Sequence, residues 1–181
     1  MFTSGADPST PNRETLRRTP IFGALSDAEL DQVRSILDLR EFAAGRTIFQ
    51  TGDPGDSCYI IQTGTARIFH GDGTGEHASA LAELGPSAVL GEGCLLTDHR
   101  RSATARAHTD VSALRLSRSD FDTLLEEDNL AAYRMVVAMA AELHRRLITN
   151  NTVLAKVLQA AGPSTELSEL RQTLAREWSL Y

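Results

Sequence analysis

A chain of 181 residues, 41% hydrophobic and 23% charged, has the size and balance of one globular domain built around one core. Its formal net charge of −6, from 18 Lys and Arg against 24 Asp and Glu, argues against a protein whose main business is coating nucleic acid or an anionic membrane. Two cysteines, Cys58 and Cys94, give neither a metal spacing nor a disulfide framework, which suits a reducing compartment.

Residues 1–12 are rich in Ser, Thr, Pro, Asp and Gly and read as a disordered leader. No basic region followed by an apolar one opens the chain, so no signal peptide is expected. The longest apolar run, Met135 to Ala141, is far too short to cross a bilayer. A cytoplasmic protein without membrane contact is expected.

Ser26 with Glu29 three places on forms a capping box. Leu30, Val33, Ile36 and Leu37 follow at helical spacing and predict a helix from Asp27 to Leu37. From Arg40 to Leu116 short β-rich runs alternate with turn clusters. The runs are Thr47-Ile48-Phe49, Cys58 to Ile61, Ala66 to Phe69 and Val111 to Leu116; the turns centre on Gly52-Asp53-Pro54-Gly55-Asp56, Gly64, Gly71-Asp72-Gly73 and Gly85-Pro86. That texture predicts an all-β barrel or jelly roll, since parallel crossovers need helices that this stretch lacks.

After Leu116 the period turns helical. Ser119 is the expected N-cap of a short helix through Phe121, Leu124 and Leu125. Leu130 to Ala160 reads as one long helix without Pro or Gly, closed by Gly162-Pro163. Ser164 opens a last helix carrying Leu167, Leu170, Leu174 and Trp178. The expected division is a leader over 1–12, a domain over 13–160 that includes its C-terminal helices, and a terminal amphipathic helix over 161–181. Within the long helix, Ala140, Leu143, Leu147, Asn150, Leu154, Val157 and Ala161 fall alternately three and four apart. This is the a/d spacing of a parallel coiled coil, with Asn150 as the polar break that sets register, and it predicts a homodimer seam. A stripe packed on the protein's own barrel is the simpler alternative.

The stretch that carries chemistry is Gly91-Glu92-Gly93-Cys94-Leu95-Leu96, a short turn, then Arg100-Arg101-Ser102-Ala103. A glycine admits close backbone approach to a ligand. A short helical turn, an Arg and a hydroxyl make a trap for one phosphate. Glu92 would repel that phosphate, so it needs a different partner, and a ribose hydroxyl resolves the conflict.

These residues resemble the phosphate-binding cassette of the cyclic nucleotide-binding domain family, shared by catabolite activators, kinase regulatory subunits and nucleotide-gated channels. Gly91-Glu92, Leu95-Leu96 and Arg101-Ser102-Ala103 match the cassette, with the usual Glu-to-Arg spacing. Pro20 to Ser26 resembles the helices that lead into the family's barrel, and Gly45 to Phe49, Gly52 to Asp56 and Tyr59 to Gly64 resemble its first strands and turns. The resemblance runs from about Leu16 to Ala160. It implies a jelly-roll β-barrel, similar to cupins, with flanking helices.

It further implies cAMP or cGMP as ligand, with no other cofactor. Arg101 would pair with the cyclic phosphate and Glu92 with the 2′-hydroxyl. The backbone of Gly91, Glu92, Gly93 and Cys94, together with Ser102, would complete the cradle. Asn150 and Asn151 would reach the base from the long helix. Cys94 departs from the family's usual Ala, Gly or Ser, and Arg100 offers a competing register.

Other chemistry is weakly signalled. His70, His77, His99 and His108 lack the paired His-x-His of a metal cupin, so no metal is expected. No nucleophile-and-base grouping suggests an enzyme, and Cys58 in an apolar strand reads as core. Helix-turn-helix, membrane-span and kinase-inhibitory features are not recognisable, so direct specific DNA binding is not expected and Arg145-Arg146 reads as a solvated or interface pair. The expectation is a stand-alone sensor that signals to an effector protein through its C-terminal helices. A nucleotide-free scaffold and a cyclic di-GMP sensor of the same fold are the alternatives.

Overall fold

The computed structural model describes residues 13–74, 79–160, 172, 173 and 176. The expected leader, the Gly162-Pro163 stop and most of the expected last helix lie outside the described residues, as does His77. The chain divides into two compact units, Met1–Ala140 and Ala141–Tyr181.

In the first unit, helices α1 (Arg13–Arg17) and α2 (Asp27–Arg34) precede strands β1 (Leu37–Phe42), β2 (Thr47–Phe49), β3 (Ser57–Thr63), β4 (Ala66–Phe69), β5 (Ala80–Leu84) and β6 (Val89–Leu90). A short helix α3 (Gly93–Leu96), strands β7 (Thr104–Ala107) and β8 (Val111–Ser117) and helix α4 (Arg118–Glu126) follow. Helix α5 (Leu130–Ala160) has the bounds expected of the long helix.

Strand pairing gives two four-stranded antiparallel sheets, ordered β1-β8-β3-β6 and β2-β7-β4-β5. Among the described residues they face each other without closing into a barrel, which corrects the barrel expectation while keeping the jelly-roll layout. The space between them is filled from both sides by small and branched residues: Ile48, Ile61, Ala66, Leu90, Ala105, Ala107, Val111 and Ala113. The other face of the first sheet carries Cys58, Ile60, Leu114 and Leu116, which pack on Leu16, Leu30, Phe121, Met135 and Met139 of the helices and on Phe22 of the turn between α1 and α2. Strands β3 and β8 are therefore buried on both faces, which is why they read as near-continuous apolar runs.

The Ser26–Glu29 capping box forms, with Ser26 N–H donating to Glu29 at 2.7 Å. That amide, together with the Ser26 hydroxyl and Arg134, holds the Glu29 carboxyl below the usual carboxylate range. The helix stops at Arg34, three residues short of the expected Leu37, and the Ser35 N–H closes it on the Asp31 and Gln32 carbonyls. Ile36 and Leu37 still pack on the cluster to which their period assigns them, but from extended chain. Six residues of β1 pair with β8, Leu37 opposite Leu116, and that ladder outweighs one more helical turn. The N-cap of α4 is likewise Ser117, not Ser119: its hydroxyl accepts from the Asp120 N–H at 3.1 Å, and the strand runs directly into the helix.

Gly64 closes the β3–β4 turn at φ +80°, where a Cβ would lie 2.0 Å from the Asp110 carbonyl oxygen. Gly45 has nearly the same φ, +81°, with nothing within 4 Å. Positive φ alone costs an alanine about 1–2 kcal/mol. Gly64→Ala adds a clash with backbone and is expected to lower Tm by roughly 4 °C or more, at ~2–4 °C per kcal/mol in a domain of this size. Calorimetric melting checks this; Gly45→Ala should lose clearly less.

Candidate functional site

Two glycines and two turns build the site. β6 ends at Leu90, Gly91 turns the chain at φ +74°, and α3 begins two residues on. A Cβ at Gly91 would stand 2.2 Å from an Arg101 guanidinium nitrogen, so only glycine lets that side chain lie where it does. Gly55, on the β2–β3 turn, is packed as tightly: a Cβ there would meet Cys94 Sγ at 2.3 Å and the His99 carbonyl at 2.5 Å.

Backbone pairing sends the adjacent arginines in opposite directions. Arg101 N–H donates to Asp53 O at 2.9 Å, and Gly52 N–H donates to Arg101 O at 2.8 Å. These bonds turn the Arg101 side chain inward, where the residue is 4% exposed. Arg100 points out and spends a donor on the Gly52 carbonyl at 2.7 Å.

Inside, the Arg101 guanidinium lies over the Phe49 ring, 4.3 Å from its centroid. Phe49 in turn stacks on Tyr59 at 6.3 Å, and Tyr59 meets Phe42 edge-on at 5.8 Å. The polar contacts are long. Nη1 reaches Gly91 O at 3.4 Å and Cys94 Sγ at 3.5 Å; Nη2 reaches Ser57 Oγ at 3.3 Å and the exposed Asp56 carboxylate at 3.6 Å. Among the described residues, Nε has no hydrogen-bond partner. A guanidinium taken out of water normally gains short charge-assisted bonds, and one held this loosely is a buried cation still short of acceptors.

Glu92 is 3% exposed and occupies the N-cap position of α3. Its carboxylate acts on Cys58, whose thiol is pushed up to about 12 by burial first and by Glu92 second. Cys58 is thus a protonated core thiol rather than a nucleophile. Gly93 and Cys94 lie in α3, with Cys94 buried and its Sγ 3.7 Å from the His99 carbonyl. Ser102 is exposed on the loop before β7.

Gly91, Glu92, Gly93, Cys94 and Arg101 come together, therefore, and Ser102 follows on the rim. Asn150 and Asn151 stand in the second unit, on α5, exposed and half-buried respectively. Among the described residues no group of three His, Cys, Asp or Glu could hold a metal ion, and no helix is long and apolar enough to cross a membrane. Sequence reasoning missed Phe49, Asp56 and Ser57. Asp56 had a readable signal, a carboxylate ending the Gly-Asp-Pro-Gly-Asp turn; Phe49 had none, since it meets Arg101 from a strand 52 positions away.

The sequence model of the cyclic nucleotide-binding domain matches residues 39–128. The chain is 32% identical to the N-terminal domain of a transcriptional regulator from Streptomyces coelicolor A3(2), over 73% of this chain and 94% of that one, with a TM-score of 0.64. This chain belongs to the cyclic nucleotide-binding domain family. It is 33% identical to the cyclic AMP receptor protein of Thermus thermophilus over 71% of this chain and 59% of that protein. A cAMP-dependent protein kinase regulatory subunit of Colletotrichum orbiculare is 33% identical over 61% of this chain and 27% of its own length. The chain thus spans less than two thirds of either of these relatives.

Proposed function

We propose that this chain is a cyclic nucleotide receptor module rather than an enzyme, binding cAMP or cGMP at Arg101. The observation that carries the reading is the buried guanidinium, whose Nε has no partner among the described residues and whose polar contacts are long. A cyclic phosphate supplies the acceptors it lacks. Glu92, equally buried beside it in the cassette, takes the ribose 2′-hydroxyl, and Ser102 with the backbone of Gly91 to Cys94 completes the cradle. The names of the Thermus and Colletotrichum relatives favour cAMP. The family resemblance alone brings Asn150 and Asn151 to the base.

Output runs through the C-terminal helices to an effector protein, in the cytoplasm, from a homodimer paired along α5. Leu147 and Val157 of the expected seam are 57% and 56% exposed, which favours a partner helix over a stripe spent on the protein's own core. Titration of the purified chain with cAMP, cGMP and cyclic di-GMP by calorimetry tests the proposal. Saturable one-to-one binding of either mononucleotide supports it. Binding of cyclic di-GMP alone would transfer the site to that ligand, and no heat with any of the three would leave an interaction scaffold.

A further inference from the structure

Arg118, the first residue of α4, is spent almost wholly on the cassette. Its Nη1 donates to Cys94 O at 3.0 Å and to Thr97 O at 2.8 Å. These are the carbonyls of the second residue of α3 and of its C-cap, acceptors that so short a helix leaves without intrahelical partners and that favour a cation. The same nitrogen lies 3.5 Å from Asp98, and Nε lies 3.6 Å from Asp122, one turn further along α4. The Arg118 backbone N–H donates to Asp56 O at 2.8 Å, and the Asp56 carboxylate is the one facing Arg101. One residue therefore grips the carbonyls of α3 and its cap, the turn that faces Arg101, and its own helix.

α3 has four residues, too few to hold a helical turn without outside contacts. We infer that Arg118 is a positioning residue that locks α3 to the first turn of α4, so that a ligand drawn onto the cassette moves α4 with it. This rests on the reading that the Arg101 site takes a cyclic nucleotide. The lock itself is made of contacts present without ligand.

Hydrogen exchange on the full chain tests it, read at residues 93–97 and 118–126 with and without cAMP or cGMP, for wild type, Arg118→Met and Arg118→Lys. Without ligand, Arg118→Met should speed exchange in both segments by roughly tenfold, with β8 unchanged as the control for folding. Arg118→Lys should recover part of the loss, since an ammonium can still donate to both carbonyls. With ligand, wild type should slow exchange in both segments, whereas Arg118→Met should slow α3 alone.

Wild-type exchange in α3 of ligand-free Arg118→Met would overturn the lock. So would a full α4 response to nucleotide in that variant. A wild type that binds neither nucleotide would remove the proposed function, and the ligand-free comparison would then decide alone whether Arg118 joins the two helices.

Discussion

Arg101→Ala is expected to weaken cAMP or cGMP binding by well over tenfold, whereas Arg100→Ala should stay close to wild type. Removing one partner of a buried charge-assisted pair costs roughly 2–5 kcal/mol, and each ~1.4 kcal/mol is a decade of affinity. Arg101 is buried and loosely held, Arg100 exposed and bonded to the Gly52 carbonyl, so the two variants should separate cleanly. Arg101→Ala should not collapse the fold, because its backbone bonds to Asp53 and Gly52 do not need the side chain. Glu92→Ala should lose less than Arg101→Ala, and the loss should shrink against a ligand without the 2′-hydroxyl. Isothermal titration of wild type and the three variants, with the 2′-deoxy ligand added for wild type and Glu92→Ala, measures all of this. Normal binding by Arg101→Ala together with failure of Arg100→Ala would put the phosphate on the wrong arginine here.

The parts of this site legible in the chain were those whose signal is local. Gly91 needs a positive φ, and the resemblance of Arg101-Ser102-Ala103 to the family's cassette favours Arg101 over Arg100. The same holds for the Ser26 capping box and for the bounds of α5, where 31 residues run without a breaker. What stayed hidden depends on long-range pairing. The end of α2 is decided by β1 meeting a strand about eighty positions later, and the N-cap of α4 by how far β8 runs before it turns. Phe49 under Arg101 and Arg118 behind α3 belong to the same class: each looks like an ordinary strand or helix residue until the fold brings its partner to it. Strands β5 and β6 escaped for a different reason. One is an exposed edge and the other two residues long, so neither shows a period.

The second large effect is expected at Leu147. On α5, Leu143, Leu147 and Val157 are 36%, 57% and 56% exposed, on a helix that runs about 46 Å at ~1.5 Å per residue. A row of Leu and Val in water along such a length is costly at roughly 25 cal/mol per Å², and a second copy of the same row would bury it. Asn150 sits within the row, where a polar residue in a coiled-coil seam fixes register at some expense of stability. Leu147→Glu would set two carboxylates against each other across a two-fold seam, next to leucines. Sedimentation should therefore show a dimer for wild type and a monomer for Leu147→Glu, with the melting temperature of the β-sheet unit little changed, since Leu147 belongs to neither core cluster. If nucleotide capture and helix pairing are one equilibrium, each favours the other by the same free energy. Leu147→Glu must then also bind nucleotide more weakly, and saturating nucleotide must tighten the wild-type dimer by the same factor. A wild-type protein that sediments as a monomer at high concentration, with and without ligand, would remove the seam; a monomeric Leu147→Glu with undiminished affinity would keep the seam and remove the coupling.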